Sequence, residues 1–153
     1  MIKFVFFVGV LLVISVIDLR SYRIPDVLTL PLIVIGLLFG FLEHRFLDSV
    51  FGMSVGYGVY FGISWLAKLY YKEDAMGAGD FKLAAAIGSM WGVTVVALTI
   101  YMSFLLGGVL GFFLLIMKFK KRREVIPFGP VIVGSSFLVL KFKVPLLAFL
   151  FLK

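Results

Sequence analysis

Residues 93–117, VTVVALTIYMSFLLGGVLGFFLLIM, carry no charged side chain. Coiled as an α-helix at about 1.5 Å per residue, such a run outreaches the roughly 30 Å of hydrocarbon in a bilayer. In water it would expose far more apolar surface than the few hundred Å² (roughly) that a soluble monomer tolerates. Lipid is therefore the solvent this stretch requires. Outward from it, apolar runs at residues 2–17, 27–42, 49–71, 80–91 and 126–140 meet or approach the same length. They predict an all-α polytopic membrane protein, with about six transmembrane helices in one bundle and a short fourth helix. Composition agrees, since 63% of the chain is apolar and only 15% charged, which leaves too little polar surface for a soluble fold. The whole chain, 1–153, reads as a single membrane-embedded domain without an internal repeat. The first run contains Lys3, like a signal peptide, but no small-residue cleavage site follows and more spans do, so a retained helix is expected. Residues 144–152 are too short to span and are expected to lie at the interface or pack back.

Charge gives the orientation. Lysine and arginine number 15 against 8 acidic residues, and they sit in short segments between apolar runs, which is a topological signal rather than a nucleic-acid footprint. If residues 80–91 cross the membrane, the loops after the first, third and fifth helices share a side. That side then holds Arg20, Arg23, Lys68, Lys72, Lys82 and the cluster Lys118, Lys120, Lys121, Arg122, Arg123. Opposite stand Lys3, Arg45, Lys141, Lys143 and Lys153. The richer side is expected to be cytoplasmic, with both termini outside. The 118–123 cluster reads as an anchor on anionic lipid, so the bilayer is an expected partner and nucleic acid is not. The short fourth helix implies a thinned bilayer or a water-filled recess at one of its ends. Glycines at 52, 56, 58 and 62, and at 107, 108 and 111, are spaced for close helix crossing.

The absence of cysteine removes disulfides, thiolate zinc sites and thiol nucleophiles from consideration. The lone histidine, His44, stands beside Glu43 and Asp48 without the further ligands of a catalytic zinc, so no metal or cofactor is expected. Carboxylates on the basic side are Asp18, Asp26, Glu73, Asp74, Asp80 and Glu124. Asp18 directly follows the first apolar run, and Asp80 opens the fourth after Met76-Gly77-Ala78-Gly79. Ionisable groups at membrane depth mark functional sites, whereas groups at helix ends reach water cheaply. Position alone leaves both readings open.

The local sequences decide between them. Ile17-Asp18-Leu19-Arg20-Ser21-Tyr22-Arg23-Ile24-Pro25-Asp26, with Val27-Leu28-Thr29-Leu30-Pro31 following, resembles the first catalytic motif of the type IV prepilin peptidases. Met76-Gly77-Ala78-Gly79-Asp80-Phe81-Lys82-Leu83 resembles their second, the G-x-G-D motif. Pro127-Phe128-Gly129-Pro130 is similar to a segment opening the last helix of that family. The resemblance implies an aspartyl endopeptidase that removes the basic leader from prepilins or pseudopilins at the cytoplasmic face of the inner membrane. Its uses would be type IV pilus assembly or protein secretion. It implies Asp18 and Asp80 as the catalytic pair, with no cofactor. Many bacterial members also bear paired cysteines associated with N-methylation, so methyl transfer is not expected here.

A carboxylate pair suffices for peptide hydrolysis because like charges at close range share one proton, leaving one base and one acid. The base activates a water and the acid hydrogen-bonds the scissile carbonyl. Asp18 at the partly negative end of one helix and Asp80 at the partly positive start of another predict that the shared proton rests on Asp18. Gly77 and Gly79 are expected to let the backbone turn and approach a substrate strand. Asp26 is expected to cap the second helix, and Lys82 to anchor at the interface. Glu73 and Asp74 read as solvated loop charges, or as an attraction for the basic leader. Pro127 and Pro130 either open a helix where proline costs least or free carbonyls for an extended substrate. The rival from another class is a small proton-coupled transporter or channel relaying protons through the same two aspartates.

Overall fold

The computed structural model describes residues 2–72, 76–116 and 127–151, and for residues 2, 71, 114, 115 and 143–151 the backbone alone. The described residues form six helices and no strand. These are α1 (Ile2–Ser21), α2 (Asp26–Leu42), α3 (Phe46–Tyr71), α4 (Ala78–Trp91), α5 (Val93–Ile116) and α6 (Gly129–Phe151). Three of them, over Lys3–Ser21, Phe46–Tyr70 and Val93–Phe113, are long and apolar enough to cross a membrane. Glu73, Asp74, the 118–123 basic cluster and Glu124 lie outside the described residues.

The bundle is built around α4. Its 14 residues reach only about 21 Å. It needs no lipid contact, because α2, α3, α5 and α6 all pack on it and every residue from Asp80 to Met90 except Lys82 is buried. Small residues make this possible. A Cβ on Gly52 of α3 would stand 2.4 Å from the Gly88 carbonyl oxygen, and one on Gly56 would stand 2.5 Å from that of Ala84. α3 and α4 therefore cross backbone to backbone and antiparallel, Gly52 meeting Gly88 and Gly56 meeting Ala84. Gly36 of α2 similarly abuts Ser89 of α4. Only part of the expected glycine pattern works this way. A Cβ on Gly58, Gly62, Gly108 or Gly111 would meet nothing within 4 Å, and Gly107 serves as the seat for the Phe128 ring. Spacing along a helix does not reveal which of its faces has a neighbour.

α1 buries one stripe. Phe7, Leu11, Ile14 and Asp18 are its buried residues, at steps of four, three and four, which is the repeat of a single helical face. Phe4, Val5, Phe6, Leu12, Val13 and Val16 point away from the bundle. α1 continues to Ser21, beyond the expected end at residue 17, so Asp18 is the last step of a packing stripe rather than a residue of the following loop. α6 opens at Gly129, after the non-helical Pro127 and Phe128, and Pro130 sits in its first turn where no amide donor is needed. The backbone leaves helical geometry at Phe142, three residues before Pro145, and the helix then resumes to Phe151. The segment expected to be separate, residues 144–152, is through residue 151 a helical stretch set off from the rest of α6 by that kink.

The end of the bundle formed by the start of α1 and the α2–α3 and α4–α5 junctions is held by ions. Glu43 bridges Lys3 at 2.6 Å and Arg45 at 2.7 Å. The Arg45 guanidinium donates to the Met90 carbonyl at the end of α4. Asp48 accepts from the Val93 amide at 3.0 Å, next to Gly92, whose φ of 84° and contact with the Asp48 carboxylate admit no side chain. Glu43 and Asp48, adjacent to His44 in sequence, are thereby engaged in clasping helix ends.

Candidate active site

At the opposite end, the chain exits of α1, α3 and α5 and the entries of α2, α4 and α6 converge. Tyr22, in the left-handed region at φ 53°, turns the chain out of α1, and Pro25 in extended geometry admits it to α2. Gly77, also extended, leads into α4, so that Asp80 lies in the first helical turn. Asp18 and Asp80, which come from helices far apart in sequence, are both buried and line one recess of about 320 Å³. They are near enough to interact electrostatically. Tyr22, Arg23, Ile24, Asp26, Gly77, Ala78, Gly79 and Lys82 complete its wall.

The residues of the third motif reach the same place. The Gly129 amide donates to Asp18 Oδ2 at 3.0 Å, so a carboxylate from α1 caps the orphan donors at the start of α6. A Cβ on Gly129 would stand 2.6 Å from that oxygen. Phe128 packs against Tyr60 and Phe104 with ring centroids 6.4 and 6.1 Å away, which ties the entry of α6 to α3 and α5. Pro127 and Pro130 flank this pair and are half-buried. Asp18 thus faces the positive end of α6 while Asp80 lies at that of α4, and helix ends no longer distinguish the two acids. The expectation that the proton rests on Asp18 loses its physical basis.

Neither of the two glycines before Asp80 has positive φ. Gly79 is required by space, because its Cβ would lie 2.7 Å from the Ile24 Cβ. Gly77 has room, is exposed beside Asp80, and leaves its backbone open at the mouth of the recess. Asp26 does not cap α2, which shows no side-chain capping bond. Its carboxylate instead bonds Lys82 Nζ at 2.6 Å on the rim of the recess, so Lys82 is a recess residue rather than a free anchor. Sequence reasoning missed this pair, and no periodicity links positions so far apart. It also missed Tyr60, fully buried and within electrostatic reach of Asp80. Ser103 gives its proton to the Ile100 carbonyl, so in the Tyr60–Ser103 hydrogen bond Tyr60 is the donor. Among the described residues no three histidine or acidic side chains gather as metal ligands.

An apolar helical bundle with two distant carboxylates lining one recess has the architecture of a polytopic membrane protein. The model of the type IV leader peptidase family matches residues 5–112, a stretch containing both acids, and the chain belongs to that family. It is 38% identical over 133 residues to the prepilin leader peptidase/N-methyltransferase of Pseudomonas aeruginosa, covering 85% of this chain and 46% of that protein. The corresponding protein of Stutzerimonas stutzeri is 39% identical over 136 residues, with 85% and 46% covered. That of Escherichia coli is 36% identical over 125 residues, with 78% and 53% covered. The chain spans about half the length of these relatives. No solved structure matches it.

Proposed function

We propose that this chain is a membrane-embedded aspartyl endopeptidase domain that cleaves the basic leader from prepilins or pseudopilins at the cytoplasmic face of the inner membrane. The observation that carries the reading is the burial of Asp18, in the last turn of α1, and Asp80, in the first turn of α4, in one recess, each in a stretch resembling a family motif. The pair shares one proton. Its ionised member takes a proton from a water whose oxygen attacks the scissile carbonyl carbon, while the protonated member hydrogen-bonds the carbonyl oxygen. Collapse of the tetrahedral intermediate breaks the C–N bond, and the leaving amine takes the proton. Asp18 Oδ2 accepts a hydrogen bond from the Gly129 amide, which holds the carboxylate in place within the site. Gly77, Gly79, Pro127, Phe128, Gly129 and Pro130 shape the site. No metal or cofactor enters this chemistry, and methyl transfer is not part of it.

The cytoplasmic orientation, with both termini outside, is supported by Arg20, Arg23, Lys68, Lys72 and Lys82, which flank the recess end. Incubating the purified protein in detergent with a prepilin tests the proposal. Cleavage is expected from the unmodified chain, and a loss of at least about a thousandfold from Asp18→Asn or Asp80→Asn. An unmodified protein that leaves prepilin intact while carrying protons across vesicles would favour the transporter instead.

A further inference from the structure

Two apolar grooves of about 450 Å³ each run along the outside of the bundle. One lies between α5 and α6, lined by residues such as Leu106, Val109, Leu110 and Val131, and shares no lining residue with the aspartate recess. The other lies between α2 and α3. Its walls are Leu30 and Ile33 of α2 and Met53, Ser54 and Tyr57 of α3, its floor is Ala85 of α4, and Lys82 stands at one end. Lys82 also lines the recess, so this groove adjoins the site; a further groove of about 420 Å³ between the end of α3 and the start of α4 adjoins it through Gly77 and Ala78, but lies at the recess end rather than farther along α4.

The direction in which the α2–α3 groove leaves the recess is fixed by α4. Ala85 follows Asp80 by five residues, which sets the groove floor about 7–8 Å farther from the recess end, toward the bilayer centre. The antiparallel crossing, Gly56 on Ala84 and Gly52 on Gly88, puts Met53 level with residue 87, about 10 Å from the level of Asp80. The surface therefore changes from a charged recess, bearing three carboxylates with Arg23 and the Asp26-paired Lys82, to an apolar trough as it enters the membrane. The substrate that the family resemblance implies, cut after a glycine between a basic leader and an apolar helix, changes polarity in the same direction.

We infer that the α2–α3 groove seats the apolar segment of the substrate on the far side of the scissile bond, so that cleavage position is measured from Lys82. The inference rests on the peptidase reading above and specifies which face of the bundle the substrate approaches from lipid. Lys82, paired with Asp26, marks the step between the two halves of this surface and acts as a positioning residue. Filling of the groove by lipid tails or by a second copy of the chain are the competing outcomes.

The absence of cysteine makes the test clean, because any introduced thiol is the only one. In an Asp80→Asn background that leaves precursor uncut, Ser54→Cys on the wall of this groove and Leu110→Cys in the α5–α6 groove are oxidised with a synthetic precursor. The precursor carries a basic leader, a glycine and an apolar helix with one cysteine moved stepwise beyond the glycine. Disulfides are expected with Ser54→Cys when the substrate cysteine lies about five to eight residues past the cleavage point, and not with Leu110→Cys. Crosslinks at Leu110→Cys, at neither site, or only between two copies of this chain would overturn the inference. As a second readout, Ser54→Trp is expected to raise KM for the precursor at least about tenfold with kcat within about threefold, and an unchanged KM would also overturn it. If the unmodified chain cuts no precursor, the peptidase reading fails. If it cuts and the crosslinks map elsewhere, the groove assignment alone fails.

Discussion

Gly129→Ala isolates the contact on which the geometry of Asp18 depends. The added methyl would lie 2.6 Å from Asp18 Oδ2, where ordinary contact begins near 3.4 Å, so the carboxylate must retreat by roughly 0.8 Å. The 3.0 Å bond from the Gly129 amide would then lengthen to roughly 3.8 Å and cease to be a hydrogen bond. Losing a bond to a buried carboxylate costs about 1.5–3 kcal/mol, and misplacing a reacting group by about 1 Å costs on the order of a hundredfold in rate. The expected result is a fall in kcat on prepilin of about 10- to 100-fold with KM nearly unchanged. The helix itself tolerates the change, because alanine is favoured over glycine by about 1 kcal/mol in helical positions. Steady-state cleavage in detergent gives the rate, and circular dichroism melting confirms the fold. A correctly folded variant with kcat within about twofold of the parent would show that the close approach of α6 does not position Asp18.

Two further outcomes follow from the packing and the charges. Gly52→Ala drives a methyl against the Gly88 carbonyl and is expected to destabilise the bundle by about 1–3 kcal/mol, whereas Gly58→Ala meets nothing and should leave the melting temperature unchanged or slightly raised; equal effects would refute the α3–α4 register. Glu43 lies outside the helices, and its hydrogen bonds from Lys3 first and Arg45 second hold its carboxyl below the usual glutamate range, against a small opposing effect of burial. A lowered carboxyl stabilises above its unfolded value and loses that contribution as pH falls through the folded one. Glu43→Gln is therefore expected to cost less than about 1 kcal/mol at neutral pH, because the side chain is substantially exposed, and the difference should shrink as pH falls below the unfolded glutamate value and vanish below the folded one. Melting curves across pH test this, and a penalty that grows in acid would contradict it.

The helices were legible because lipid demands long apolar runs, and such runs cannot be mistaken when a stretch like residues 93–117 contains no charge. Their ends were less so. α1 keeps Asp18 inside its last turns because the residue belongs to a packing stripe, and a hydropathy boundary at residue 17 cannot register a buried acid as part of a helix. The two acids were legible through their surrounding motifs, and Gly129 through its neighbours Phe128 and Pro130. What the sequence could not convey is pairing across the bundle. The Lys82–Asp26 bond, the seating of Phe128 on Gly107 and the enclosure of α4 depend on which faces meet, and apolar helices that are hydrophobic all round carry little record of that. Gly79 owes its identity to Ile24, a residue of a different helix connection, rather than to any turn of its own.

The stripe Phe7, Leu11, Ile14, Asp18 ties the acid to the angular phase of α1. One residue inserted between Ile14 and Asp18 would swing the carboxylate by roughly 100° about the helix axis, from the recess toward the hydrocarbon, with no charge gained or lost. Changes of length in this helix therefore have to fall before Phe7 or after Ser21 to leave the acid aimed inward. The helix works as a key whose teeth must keep their spacing, and the three apolar ones set the orientation of the fourth.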